Sequence, residues 1–227
     1  MVEGNKMVRI SPSLLSSDCS RLGEELQQVA KAGADMIHLD IMDGDFVPML
    51  SFGPSIIKSL PHIEGCDFDA HLMVQHPEKH IDAFVDAGVD RLVIHQETTM
   101  HLHFLLRRIQ EAGIKSGVAL IPSTPLESID WVLEKADIVL LLTVDPGLSG
   151  AFQPGMIRKI EQVKERIVQR GLAVEVEVDG GITTRNIRQL ADAGMDTAVA
   201  GSAVFQKPDY AAAIRALKQA SESSSMK

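Results

Sequence analysis

Short apolar segments alternate with longer amphipathic segments along the whole chain, and four of the amphipathic segments end in the same pattern. A charged residue precedes Ala-Gly, a small or apolar residue follows, and Asp or Lys completes the pattern, whose glycines are Gly33, Gly88, Gly113 and Gly194. Each glycine suits the left-handed backbone that follows the last turn of a helix. The chain therefore alternates helix and strand, which is typical of a parallel sheet with right-handed crossovers.

Eight apolar segments are predicted as strands. They are residues 8–13, 36–42, 67–74, 91–95, 115–121, 138–144, 173–179 and 197–201. The predicted helices are residues 19–32, 77–87, 100–112, 125–134, 154–170, 184–193 and 208–219. Eight such units in 227 residues predict one α/β domain, a (β/α)8 TIM barrel, a fold of about 250 residues. An open doubly wound sheet is the alternative, but its six strands would use fewer residues. Residues 1–7 and 221–227 are expected to fray.

Composition limits the partners and the compartment. The formal net charge is -9, so we expect neither a nucleic acid nor an anionic membrane as partner. Cys19 and Cys66 are far apart and are predicted to be free thiols in a reducing compartment. The N-terminal residues carry no apolar leader, and no segment approaches the roughly 18 apolar residues of a membrane span. We therefore expect a cytoplasmic protein, and a barrel this small is expected to form a homo-oligomer.

Polar side chains recur on one face of three strands near their C-terminal ends. His38 and Asp40 are two residues apart and so share a face, as His71 does with Met73, and Asp179 ends the seventh strand. In a barrel these faces point to the axis at the C-terminal mouth, where barrel active sites lie. Two imidazoles and two carboxylates converging there predict a site for one divalent metal ion, Zn²⁺, Fe²⁺, Mn²⁺ or Co²⁺.

Other charged residues near this mouth leave alternatives open. Alternation puts Glu175 and Glu177 on the same side as Asp179. Glu177 either orients a ligand histidine or is turned outward by a bulge in the strand. His95 and Glu97 follow the fourth strand, where they either line the same mouth or serve only the local structure.

Three glycine-bearing turns follow the sixth, seventh and eighth strands. Glycine lets backbone N–H groups approach an anion closely, and barrels often bind phosphate at the loops after strands seven and eight. The turns contain Thr143-Val-Asp-Pro-Gly-Leu-Ser-Gly, Val178-Asp-Gly-Gly and Val199-Ala-Gly-Ser. Their position predicts that the substrate carries a phosphate group.

The motifs together resemble the ribulose-phosphate 3-epimerase family over residues 8–205. They are Ser11-Pro-Ser-Leu-Leu-Ser, His38-Leu-Asp-Ile-Met-Asp-Gly-Asp-Phe-Val-Pro, Phe52-Gly-Pro, Ala70-His-Leu-Met-Val, Val178-Asp-Gly-Gly-Ile and Ala200-Gly-Ser-Ala-Val-Phe. The resemblance implies a ribulose-phosphate-binding barrel in carbohydrate metabolism (the pentose phosphates), which interconverts D-ribulose 5-phosphate and D-xylulose 5-phosphate with a divalent metal.

The resemblance also implies roles for residues. The metal ligands fall on His38, Asp40, His71 and Asp179, and the two aspartates form the acid/base pair that moves the C3 proton. Met42 and Met73 would form an apolar wall that limits access of water. The substrate-binding positions fall on Ser13, His71, Gly147, Leu148, Ser149, Gly150, Asp179, Gly180, Gly181, Gly201 and Ser202.

Departures from the family pattern concern the phosphate end of the substrate. The usual Pro-Gly-Phe-Gly-Gly-Gln turn is Pro146-Gly-Leu-Ser-Gly-Ala here, and Met49, Pro122 and Leu142 also differ from the usual residues. Asp145 and the Glu-Val-Asp segment resemble the branch that epimerises allulose 6-phosphate to fructose 6-phosphate. A five-carbon substrate is expected, with this six-carbon substrate as the alternative. A hexulose-phosphate synthase-like lyase and a non-catalytic sugar-phosphate-binding barrel are further alternatives.

Overall fold

A computed structural model describes residues 7–148 and 150–222, and in it eight parallel strands form a barrel. The strand order around the barrel is β1-β8-β7-β6-β5-β4-β3-β2, and a bridge between Ser13 and His38 joins β1 to β2. The strands are β1 (Arg9–Pro12), β2 (Met36–Met42), β3 (Asp67–Met73), β4 (Arg91–His95), β5 (Lys115–Leu120), β6 (Ile138–Leu142), β7 (Glu175–Asp179) and β8 (Thr197–Ala200). The predicted (β/α)8 barrel is confirmed.

Helices connect most of the strands. They are α1 (Leu22–Lys31), α2 (Pro54–Ser59), α3 (Ile81–Asp86), α4 (Leu102–Glu111), α5 (Met156–Gln169), α6 (Ile187–Asp192), α7 (Ser202–Phe205) and α8 (Tyr210–Ser221). The prediction of a helix at 125–134 is wrong, because this segment forms two short 3₁₀ turns, Leu126–Ile129 and Leu133–Lys135. Apolar residues three or four apart fit either geometry. The short helices α2 and α7 were not predicted.

The repeated Ala-Gly pattern ends helices as predicted. Gly33, Gly88, Gly113 and Gly194 have φ of 94°, 86°, 85° and 107°. After α1, the N–H of Gly33 donates to the carbonyl of Ala30 and the N–H of Ala34 to that of Val29, which closes the last turn. Each of these four helices therefore ends at a fixed residue, and the next strand follows it.

Strand alternation separates the two faces of the barrel wall. The outward side chains, such as Ile37, Leu39 and Phe68, are fully buried against the helices. Inside the barrel, β5 and β6 contribute a small apolar cluster that includes Ala119 and Leu140. The strands on the other side of the barrel contribute buried polar and charged residues, and these form the site.

The ends of the described chain add two facts. No helix within residues 7–148 and 150–222 has the length and apolar character that crossing a membrane requires. Most of the predicted frayed ends, 1–6 and 223–227, lie outside the described residues; Ser221 is the buried last residue of α8.

Candidate metal centre and active site

Four side chains from three strands meet inside the mouth of the barrel. His38 and Asp40 extend from β2, His71 from β3 and Asp179 from β7, and one nitrogen or oxygen atom of each lies within 4.8 Å of the others. Asp40 Oδ1 is 3.3 Å from His38 Nε2 and 3.4 Å from His71 Nδ1, and His71 Nδ1 is 4.0 Å from Asp179 Oδ2. The structure thus brings together all four residues that the sequence predicted as metal ligands.

The hydrogen bonding of these atoms fits a metal ion. Among the described residues, His38 Nε2, Asp40 Oδ1 and His71 Nδ1 are buried without a hydrogen-bond partner. Buried polar atoms are costly unless something binds them. Two imidazole nitrogens and carboxylate oxygens form a donor set for a divalent transition metal. The residues present therefore fit the cation that the sequence predicted.

The opposite nitrogen of His38 is held by carboxyl groups. His38 Nδ1 lies 2.9 Å from Asp69 Oδ2 and 3.3 Å from Glu177 Oε1, and all three residues are fully buried. Strand β7 pairs with β6 in continuous register, so the alternative of a bulge that turns Glu177 outward is wrong. In the neutral ring, a carboxylate that accepts from Nδ1–H leaves Nε2 bare and directed at the candidate metal centre. In spite of burial, which acts in the opposite direction, the charge of Asp40 raises the pKa of His38, and a bound cation would favour the neutral ring.

A buried guanidinium lies below this histidine. Arg91 on β4 donates to Glu175 and Glu177 at 2.9 Å each, and its Nε is 3.4 Å from Asp69. Arg9 forms a further ion pair with Glu175. Acidic side chains outnumber the arginines of this cluster, and burial raises the pKa of Glu177 to about 8. A divalent cation at the centre would favour the ionised carboxylates.

The environment shifts the pKa values of the clustered groups. Burial, and then the negative charge of Asp40, raises the pKa of Asp179 to about 7. In spite of burial, which acts in the opposite direction, His38 and His71 lower the pKa of Asp40. Burial lowers the pKa of His71 to about 4, which keeps its ring neutral and able to bind a metal. A bound cation would lower the pKa of both aspartates.

The second candidate ligand histidine is held from β4. His71 Nε2 is 2.9 Å from His95 Nε2, and His95 Nδ1 is 2.9 Å from Glu97 Oε2. Burial would raise the pKa of Glu97, but hydrogen bonds from His95 and from the backbone N–H of Ile121 are among the interactions that lower it to about 2. Glu97 is therefore an ionised acceptor at the end of this chain.

A cavity of about 300 Å³ opens above the cluster. Asp40 and Asp179 line it, and Ser13 donates to Asp40 Oδ2 at 2.5 Å. Met42 and Met73 form an apolar wall with Val47 and the partly buried Leu15 and Phe46. The cavity thus exposes two carboxylates beside an apolar surface.

Glycine turns and one leucine form the other side of the cavity. Its lining includes Gly147, Leu148, Gly150, Gly180 and Gly201. The remaining predicted substrate residues lie elsewhere or are not described. Gly181 packs behind the wall, where an added Cβ would lie 2.7 Å from the backbone nitrogen of Phe152. Ser202 begins α7, His71 is fully buried, and Ser149 lies outside the described residues.

Sequence reasoning missed Asp69 and Arg91. Both face the barrel interior by the same alternation that selected His71 and His95. Opposite charges at inward positions of adjacent strands β3 and β4 were the available signal. An inward arginine such as Arg91, placed nearer the N-terminal ends of the strands than the inward His71 and His95, indicates a layer of ion pairs beneath a metal centre.

Comparison with known proteins gives matches over almost the whole chain. A model of the ribulose-phosphate 3 epimerase family matches residues 9–205. Ribulose-phosphate 3-epimerase of Synechocystis sp. is 43% identical over 217 residues, which cover 94% of each chain. The enzymes of that name from Escherichia coli and Bacillus subtilis are 41% and 40% identical; the matches cover 90% and 93% of this chain and 92% and 99% of theirs.

Solved structures with low sequence identity share the fold. A tryptophan synthase structure from Mycobacterium tuberculosis has a TM-score of 0.69 at 16% identity and covers 97% of this chain and 95% of its own. A 3-hexulose-6-phosphate synthase has a TM-score of 0.67 at 19% identity, with 94% and 99% covered. These likenesses show the barrel alone.

Proposed function

The chain belongs to the ribulose-phosphate 3-epimerase family, and we propose that it interconverts D-ribulose 5-phosphate and D-xylulose 5-phosphate by inverting C3. The observation that carries the proposal is the pair Asp40 and Asp179. These carboxylates extend from β2 and β7 into one cavity, beside two histidines whose free nitrogens face the same point. Epimerisation needs one base and one acid on opposite faces of a carbon, and this pair supplies both.

The proton transfers follow from the two carboxyl groups. Asp40 removes the C3 proton, which is acidified by the neighbouring C2 carbonyl, and Asp179 delivers a proton to the other face; the roles exchange in the reverse direction. The hydroxyl of Ser13 holds Asp40 Oδ2 by its hydrogen bond, which fixes the orientation of the carboxylate. Met42 and Met73 keep water from the planar intermediate.

His38, Asp40, His71 and Asp179 would hold one divalent cation. When bound, such a cation stabilises the negative charge that develops on the C2 oxygen. The mixed nitrogen and oxygen donors suit Zn²⁺, Fe²⁺, Mn²⁺ or Co²⁺. In this arrangement the same two aspartates bind the metal and move the protons.

The phosphate group is assigned to the glycine turns. Gly147, Gly180 and Gly201 line the side of the cavity formed by the loops after β6, β7 and β8, the usual phosphate region of such barrels. The relatives are named for ribulose phosphate, which favours the five-carbon substrate over allulose 6-phosphate. We also propose that the protein acts in the cytoplasm as a homo-oligomer.

Solvent deuterium exchange tests the reaction. With ribulose 5-phosphate in D₂O, the wild type is expected to incorporate deuterium at C3 and to form xylulose 5-phosphate, both measured by NMR. Asp40→Asn should abolish exchange and Asp179→Asn should abolish formation of xylulose 5-phosphate, while Asp192→Asn, in an exposed ion pair with Arg188, should leave both unchanged. Retained exchange in Asp40→Asn, or retained formation of xylulose 5-phosphate in Asp179→Asn, contradicts the mechanism.

A substrate panel separates the alternatives. The wild type is expected to convert ribulose 5-phosphate faster than allulose 6-phosphate. Tight binding of sugar phosphates by the metal-loaded wild type, without any exchange, would instead identify a non-catalytic binding protein.

A further inference from the structure

A chain of hydrogen bonds leads from the candidate metal centre to a carboxylate outside it. Nε2 of His71 contacts Nε2 of His95 at 2.9 Å, and Nδ1 of His95 contacts Glu97 at 2.9 Å. Both rings are fully buried, with centroids 5.0 Å apart and planes inclined by 28°. Because Phe46 packs on the His95 ring with centroids 4.8 Å apart, the ring has little freedom to turn.

The order of donors in this chain follows from Glu97. An ionised carboxylate only accepts hydrogen bonds, so Nδ1 of His95 must carry the proton. In the neutral ring Nε2 of His95 is then bare and accepts from Nε2–H of His71. The remaining nitrogen of His71, Nδ1, must be bare, and it is the atom that faces Asp40 and Asp179.

Glu97 is itself fixed by the backbone. Its Oε1 accepts from the N–H of Ile121 at the end of β5, at 2.9 Å. A backbone N–H cannot move its proton, so this oxygen must remain an acceptor. One oxygen of the Glu97 carboxylate is therefore fixed by Ile121, and the other accepts the proton on Nδ1 of His95.

We propose that Glu97 and His95 are positioning residues that fix the tautomer of His71, so that the Nδ1 lone pair is directed at the metal centre before any metal binds. The inference deepens the proposed function, since it concerns the same metal site. It states which ring nitrogen carries the proton in His95 and in His71.

Replacing Glu97 by glutamine gives a sharp expectation. The amide oxygen must serve Ile121, because only the oxygen can accept that N–H. The amide NH₂ group then faces Nδ1 of His95 and requires that nitrogen to be bare. Both histidines would adopt the other tautomer, and the proton on Nδ1 of His71 would then point into the metal centre.

NMR of ¹⁵N-histidine-labelled, metal-free protein tests the proton positions directly. In the wild type, His71 is expected with bare Nδ1 and protonated Nε2, and His95 with the reverse. Glu97→Gln should exchange these patterns, while Glu111→Gln on the exposed end of α4 should not. The opposite tautomers in the wild type overturn the proposal, whether or not the variant folds.

A Co²⁺ titration supplies the second readout. Loss of a carboxylate that orients a ligand histidine typically weakens metal binding 10–100-fold. We therefore expect Glu97→Gln to bind Co²⁺ 10–100-fold more weakly than the wild type. Glu97→Asp should have an intermediate affinity, and Glu111→Gln should bind Co²⁺ as the wild type does. Wild-type affinity in Glu97→Gln overturns the inference. A wild type that binds no Co²⁺, Mn²⁺, Fe²⁺ or Zn²⁺ contradicts the metal site of the proposed function, while the NMR experiment still decides the proton positions.

Discussion

His38 and Asp69 lie directly opposite each other on β2 and β3, and the ring Nδ1 meets the carboxylate at 2.9 Å. The parallel register therefore sets this contact as well as the position of His38 itself. Because the carboxylate binds one nitrogen, the other faces Asp40 and the candidate metal. Each candidate ligand histidine thus has a carboxylate behind it, directly for His38 and through His95 for His71.

Asp69→Asn is expected to weaken Co²⁺ binding 10–100-fold, as is typical when the partner of a ligand histidine is changed. The amide can offer NH₂ to Nδ1, which allows a proton on Nε2, the atom that faces the metal. Titration of the metal-free protein measures the effect. The matched control is Asp67→Asn, an exposed position on the same strand. Equal affinity in both variants would show that Asp69 does not orient the ligand.

Arg91→Met is expected to destabilise the fold by about 3–5 kcal/mol at pH 7, because it leaves buried carboxylates without their cation. In spite of burial, Arg91 lowers the pKa of Glu175 in the folded protein. Such a group stabilises the fold above its unfolded pKa, and the contribution disappears as the pH falls. The deficit of the variant should therefore shrink at about pH 4, where the freed carboxylates can bind protons.

Urea unfolding at both pH values measures this deficit. Arg107→Met is the control, since Arg107 pairs with Glu111 on the surface and should change stability by about 0–1 kcal/mol. A deficit for Arg91→Met that does not change with pH would contradict the electrostatic explanation.

Strand alternation predicted much of this site, and its limits are physical. The faces of β2 and β3 follow from a period of two, so His38, Asp40 and His71 could be placed from the sequence. Alternation also places Asp69 inward, but its pairing with His38 depends on the register of β2 against β3, which alternation does not give. Apolar spacing likewise could not distinguish the 3₁₀ turns of residues 125–134 from an α-helix.

The two thiols are expected to react at different rates. Cys19 is exposed, whereas Cys66 is buried, and burial raises the pKa of Cys66 to about 11. Since the thiolate is the reactive form, a disulfide reagent at pH 8 should modify one thiol quickly and the second only after unfolding. Cys19→Ser should remove the fast phase. Two fast thiols in the folded wild type would contradict the buried position of Cys66.

Gly181→Ala is expected to raise KM for ribulose 5-phosphate with a smaller effect on kcat. Its φ is 63°, and a Cβ would lie 2.7 Å from the backbone nitrogen of Phe152. The loop after β6 must then move, and this loop carries Gly147 and Leu148 to the cavity.

Gly171→Ala separates this displacement from backbone strain. Gly171 also has a φ of 63°, but nothing lies within 4 Å of its added Cβ. Alanine is strained in the left-handed region of backbone conformation, so both variants should lose about 1–2 kcal/mol of stability from this strain. Only Gly181→Ala should change KM. Steady-state kinetics and thermal unfolding of the two proteins measure both effects. A similar KM in the two variants would show that the packing of Gly181 against Phe152 does not position the phosphate side of the cavity.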